Sequence, residues 1–120
     1  MENYGIKNRN KKSIQRICGA MLEVLKEKEF EQISITEICL KAEVARKTFY
    51  RNFDSKEFVI KKMIDLKLSE FETMSLLKEM NHPRELSKKY FEFWYEHREF
   101  LKILYDRNLF SILNYKMIYI

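Results

Sequence analysis

Apolar residues recur along this chain at helical spacing. After Asn10, residues Ile14, Ile17, Cys18, Met21, Leu22 and Leu25 fall at i, i+3, i+4, i+7, i+8 and i+11. That is one stripe of an α-helix, with Lys12, Gln15, Arg16, Glu23 and Lys26 on the other side. The pattern predicts a first helix from residue 10 to about residue 28, preceded by a loose polar arm at 1–9. Ser34 followed by Glu37 fits a capping box, in which the hydroxyl accepts from an orphan helical N–H and the carboxylate reaches back to the cap. A second helix of about two turns should therefore start at Ile35 and bury Ile35, Ile38, Cys39 and Ala42. A break near Glu43–Val44 separates it from a short third helix, Arg46 to Asn52. Asp54 with Glu57 is a second candidate box, opening a long fourth helix from Lys56–Glu57 to about Lys78. Asn81-His82-Pro83 marks the next start, because Pro suits the first helical position and the polar residues before it can cap. A fifth helix to about Glu96, a sixth over roughly Arg98–Tyr105 and a seventh from about Asn108 complete the pattern.

Composition narrows the class. Only two Gly and one Pro occur in 120 residues, too few turn residues for a β-rich fold, so the expectation is all-α. At 46% hydrophobic the chain can build a core, and its length is one domain's worth or slightly less. Cys18 and Cys39 sit on apolar helix faces and read as small buried hydrophobes. The segment MENYGIKNRNKK is polar and basic, and no apolar run approaches a membrane span, so a reducing cytoplasmic location without membrane contact is expected. His82 and His97 lie far apart with no ligand-spaced Cys or carboxylates around them. No nucleophile–base pattern or Gly-rich phosphate loop occurs either. The sequence offers no catalytic residue, no metal site and no cofactor.

Charge points elsewhere. The net charge is +5 and the isoelectric point about 9.1, which suits a polyanionic partner. Residues 1–56 carry 12 Lys/Arg against 8 Asp/Glu, and residues 57–120 carry 11 against 10, so most of the surplus is N-terminal. Within that half, VARKTFYRNF (44–53) holds three cations, three aromatic rings and no acid. Two short helices joined by a three-residue break, behind a longer packing helix, describe a helix-turn-helix. Its second helix needs an apolar back and a polar front. Phe49 and Phe53, four apart, with Val44 nearby, supply the anchors. Arg46, Lys47, Thr48, Tyr50 and Arg51 remain for phosphates and base edges. The basic arm (Lys7, Arg9, Lys11, Lys12) has two readings, a phosphate or minor-groove contact and a solubilising tail.

ISITEICLKAEVARKTFYRNFDSKEF resembles the DNA-binding region of the TetR/AcrR (tetracycline-repressor-like) family of bacterial transcriptional regulators. Ser34, Ile35, Ile38, Ala42, Val44, Thr48, Phe49, Tyr50, Phe53, Ser55, Lys56 and Glu57 match the family pattern. Thr48-Phe49-Tyr50 with Phe53 and Ser55-Lys56-Glu57 are its specific part, and the firm resemblance spans about residues 9–60. It implies that Tyr50 meets a phosphate and that Thr48, Arg46 and Lys47 face DNA. It also implies that Lys56, at the start of the fourth helix, contacts the backbone, where a helix N-terminus already attracts phosphate. Ser34 and Thr36, at the start of the second helix, join this DNA-facing set, as does Arg51. Three positions depart from the pattern. Glu43 replaces the turn Gly, Ala45 the usual Ser/Thr, and Lys47 a common Gly. If position 43 needs φ > 0, Glu there costs roughly 1 kcal/mol, and Ala45 forgoes an N-cap worth on the order of 1 kcal/mol.

The expected organisation is a flexible basic arm (1–9), a helix-turn-helix domain (10–56) and a partial helical regulatory or dimerisation domain (57–120). Phe91, Trp94, Tyr95, Phe100 and Tyr105 have two readings, the ordinary core and, by the resemblance, a candidate ligand pocket. Family members usually have about nine helices, the last two pairing with a partner subunit in a four-helix bundle. With about seven here, ending in the apolar LFSILNYKMIYI, a shortened regulatory domain or a different dimer is expected. The functional expectation is a DNA-binding regulator, a repressor released by a small-molecule effector, acting as a homodimer or with a related subunit on double-stranded operator DNA. The rival is a helical interaction module that pairs with a related subunit without binding DNA itself.

Overall fold

The computed structural model describes the backbone of residues 2–77 and 83–112 and the side chains of residues 9–74 and 83–112. The order is α1 (Glu2–Leu25), a single 3-10 turn (Phe30–Gln32), α2 (Ile35–Ala42), α3 (Arg46–Asn52), α4 (Lys56–Leu77), α5 (Pro83–Glu96) and α6 (Arg98–Asp106). The fold is all-α, with no strand among the described residues. The chain forms two compact units, Met1–Lys62 and Met63–Ile120, dividing inside α4, six residues beyond the division read from the sequence.

In the first unit α1, α2 and α3 pack pairwise around one core. From α1 the buried residues are Ile17, Cys18, Ala20, Met21, Val24 and Leu25, with Ile14 and Leu22 half-buried at the edges of the stripe. Phe30 and Ile33, three apart across the 3-10 turn, both point inward. Ile38, Cys39 and Ala42 come from α2, Phe49 from α3 and Phe53 from just beyond it. Ile35 is only half-buried, because it sits in the exposed first turn of α2. The loose arm expected at 1–9 is a correction, since α1 already begins at Glu2. No Pro interrupts residues 2–10, and extending a formed helix costs far less than nucleating one.

Two helix ends in this unit are worked out locally. At the end of α2, Glu43 takes the left-handed conformation, φ 57° and ψ 46°. Val44 N–H donates to Cys39 O at 3.0 Å and Glu43 N–H to Leu40 O at 3.3 Å, the paired bonds of a Schellman motif. At the end of α3, Asn52 Nδ2 donates to Thr48 O at 2.9 Å. The expected box of Asp54 and Glu57 forms no side-chain hydrogen bond among the described residues. The start of α4 is held instead through Lys56.

The second unit is built on aromatic packing. Phe71, Phe93, Trp94, Phe100, Leu104 and Leu109 are buried. Phe71 meets Tyr90 edge-on at 5.2 Å between centroids and lies 5.6 Å from Phe93, which meets Trp94 at 5.2 Å. His97 sits at the junction of α5 and α6, its ring 4.5 Å from that of Phe93. Its Nδ1 lies 3.3 Å from Lys67 Nζ. A second Schellman motif closes α6. Asn108 takes φ 60°, Leu109 N–H donates to Leu104 O at 2.7 Å, and Asn108 N–H donates to Tyr105 O at 3.1 Å. Asn tolerates that conformation better than most residues, and Leu109 is buried behind it. The cap proposed at Asn81-His82 and most of the expected seventh helix lie outside the described residues.

Candidate nucleic-acid interface

α3 is short, and its two faces differ in kind. Phe49 has no exposed surface and Phe53 is buried, their rings 5.6 Å apart, while Val44 in the turn is half-buried. On the other face Arg46, Lys47, Tyr50 and Arg51 are exposed, and their i, i+1, i+4, i+5 spacing keeps them together. The side chains of Arg46, Lys47 and Arg51 form no hydrogen bond or ion pair with any described residue. Tyr50 is 48% exposed and leans edge-on against Phe49, 5.5 Å between centroids, so its ring rests on the anchor while its surface stays open. Thr48 is half-buried between the two faces, its carbonyl holding Asn52. Ala45 caps α3 without a side-chain bond.

The start of α2 is the second part of the interface. Ser34 Oγ accepts from Glu37 N–H at 3.1 Å, so the predicted capping box exists. Lys28 Nζ reaches the Glu37 carboxylate at 2.6 Å, tying the segment after α1 to the first turn of α2. That bond, joined by the Lys28 charge and the Ser34 backbone N–H, holds the Glu37 carboxyl below the usual carboxylate range. The bridge also neutralises the Glu37 charge at the start of α2. Ser34 and Thr36 are both exposed there.

Lys56, expected to meet the DNA backbone, lies against the protein's own main chain. Its ammonium donates to Phe30 O at 2.6 Å and Ile33 O at 3.0 Å, and lies 4.4 Å from the centroid of the Phe30 ring. The side chain is half-buried and turned back toward the 3-10 turn. Sequence reasoning missed this turn as a partner. The available signal was the Phe30…Ile33 pair at a three-residue step, the period of a 3-10 turn.

The two thiols belong to the core. Burial pushes the Cys18 thiol up to about 12, with the Lys62 charge opposing. Burial likewise raises Cys39, with Arg46 opposing. The five aromatics read as a pocket do not converge. Trp94 and Phe100 are buried, whereas Phe91, Tyr95 and Tyr105 are 72%, 67% and 70% exposed. Three of them stand on α5 and two on α6. An apolar cavity of about 410 Å³ does open in the second unit, lined by Leu68, Phe71, Glu72, Leu86, Ser87, Tyr90 and Phe91. Of the five, it holds Phe91 alone.

The family model for bacterial regulatory proteins, tetR family, matches residues 17–63. Residues 17–63 are thus similar to the DNA-binding part of tetR-family regulators. The matched segment runs from α1 to the beginning of α4, so the TetR-type head coincides closely with the first compact unit. Neither the curated proteins nor the solved structures contain a match. Among the described residues, no helix is long and apolar enough to cross a membrane.

Proposed function

We propose that this chain is a cytoplasmic, ligand-responsive transcriptional repressor that reads an operator half-site with α3. The observation that carries the reading is the two-faced character of α3. Three unpartnered cations and Tyr50 stand on one side of a helix whose other side is buried in a TetR-type head. α3 enters the major groove, where Arg46 and Lys47 meet base edges or phosphates and Tyr50 and Arg51 meet the backbone. Ser34 and Thr36 receive an adjacent phosphate at the start of α2. A single head covers one half-site, so a homodimer, or pairing with a related subunit, supplies the second. The 410 Å³ cavity in the second unit is the candidate effector site, its apolar lining suited to a small hydrophobic molecule. No catalytic role is assigned to any residue.

The test is a salt titration of binding to duplex DNA selected from a random-sequence pool. Each phosphate contact adds about −0.9 to the slope of log K against log salt. Arg46→Ala, Lys47→Ala and Arg51→Ala should each flatten the slope by about 0.9 where the side chain meets a phosphate. Binding whose salt dependence is unchanged in all three variants would refute the assignment.

A second reading rests on Glu43. It places an exposed carboxylate in the turn beside α3, where a nucleic acid would repel it. In that reading the chain pairs with a related subunit without binding DNA. DNA binding by the purified chain alone would reject it.

A further inference from the structure

We infer that Lys56 is a positioning residue for DNA binding, one that acts through the loop before α2 rather than by touching phosphate. The inference rests on the DNA-binding reading above and changes what one of its residues does. Three contacts fix the ammonium: the carbonyls of Phe30 and Ile33, at 2.6 and 3.0 Å, and the face of the Phe30 ring at 4.4 Å. A cation held on two carbonyls forms charge-assisted hydrogen bonds, and turning it out to a phosphate would leave Ile33 O without its donor, while Phe30 O would keep only the Ile33 N–H at 3.1 Å. The carbonyls it holds bracket the 3-10 turn. Ile33 is the residue immediately before Ser34, and Ser34 is the N-cap of α2. Lys56 therefore sets where α2 begins. That in turn sets where the exposed Ser34 and Thr36 and the first-turn amides present themselves. Lys28 on Glu37 secures the same turn from its other side, 2.6 Å away. The start of α4 and the start of α2 are thus one fastened corner of the head, with Lys56 as the fastener.

The test compares the full wild-type chain with Lys56→Met, Lys56→Arg and Arg46→Ala. Without DNA, hydrogen exchange is read at two amides, Glu37, which donates to Ser34 Oγ, and Ile38, which donates to Ser34 O. Both should exchange about tenfold faster in Lys56→Met, with α1 amides unchanged. With DNA, well below the melting temperature of every variant, Lys56→Met should weaken binding about tenfold while its salt slope stays at the wild-type value. Arg46→Ala should flatten the slope by about 0.9 in the same series. Lys56→Arg, which can still donate to two carbonyls, should restore both exchange and affinity. A slope flattened by about 0.9 in Lys56→Met would make Lys56 a phosphate contact and overturn the inference. Unaltered exchange at Glu37 and Ile38, or unaltered affinity in a variant with accelerated exchange, would overturn it equally. If Lys56→Met does not fold, Lys56→Gln, which keeps a neutral donor group on a shorter stem, takes its place in both measurements. Absence of DNA binding by the wild-type chain would strike down the proposed function instead, and the exchange data would still decide whether Lys56 fastens the corner.

Discussion

Among the described residues of the head, Glu43 is the one with a positive φ. A side chain with a β-carbon in the left-handed region costs about 1 kcal/mol relative to Gly, and the Schellman bonds from Glu43 and Val44 hold it there. Glu43→Gly should therefore raise the stability of the head by about 1 kcal/mol, read as an increase of about 4–8 °C in its melting temperature. Glu37 shows the opposite use of an acid. Its carboxyl titrates below the ordinary range because Lys28 bonds its charged form. The folded value is thus lower than the unfolded one. The contribution to stability is complete above the unfolded value of a Glu and disappears as pH falls through the folded one. NMR titration should find Glu37 below the other glutamates, and Lys28→Met should move it back up. The cysteines give a third check. With Cys18 pushed up to about 12 and Cys39 raised by burial, neither should react appreciably with a disulfide reagent at pH 8 until the chain is denatured.

At the scale of the element, α3 has only seven residues, too few to persist without tertiary support. Its existence depends on Phe49, and its usefulness depends on the residues opposite. Phe49→Ala should remove about 3–5 kcal/mol, much of what a unit of this size possesses. Urea denaturation followed by circular dichroism should show a large drop in midpoint or outright loss of the transition. Tyr50→Ala, at a half-exposed position, should cost little stability and act on DNA affinity instead. The limits of α2, α3 and α5 were legible in the sequence because each has a local signal. Ser34 and Glu37 start α2, the turn at Glu43 stops it, and Pro83 opens α5. The start of α1 was not legible, since the polar residues 2–10 lack an apolar stripe and their helix is an extension of the stretch behind them.

At the scale of the molecule, the chain combines a basic, family-matched head with an aromatic-rich second unit. If the proposed repressor acts as a dimer, its binding to a palindromic duplex should be cooperative. Sedimentation should then show two chains per operator, and a single half-site should bind much more weakly. An effector held by the cavity around Phe71 and Tyr90 should raise the thermal stability of the second unit, by the linkage that any ligand specific to the folded state obeys. The five aromatics, with their two readings of ordinary core and resemblance-implied pocket, show why sequence alone cannot locate such a site. Phe91, Tyr95 and Tyr105 are as aromatic as Trp94 and Phe100, yet only the packing decides which rings are buried and which stand in solvent.

The sequence by itself determined the helical class, the lengths of most helices and the two faces of α3. Each of these follows from spacing, capping and turn chemistry within a few residues. Only the tertiary structure decided what Lys56 does, because its partners are two carbonyls more than twenty residues earlier in the chain. A lysine's position in a motif fixes where its stem begins. Where the ammonium ends is settled by which acceptors folding brings within reach, and here they are the backbone carbonyls of Phe30 and Ile33.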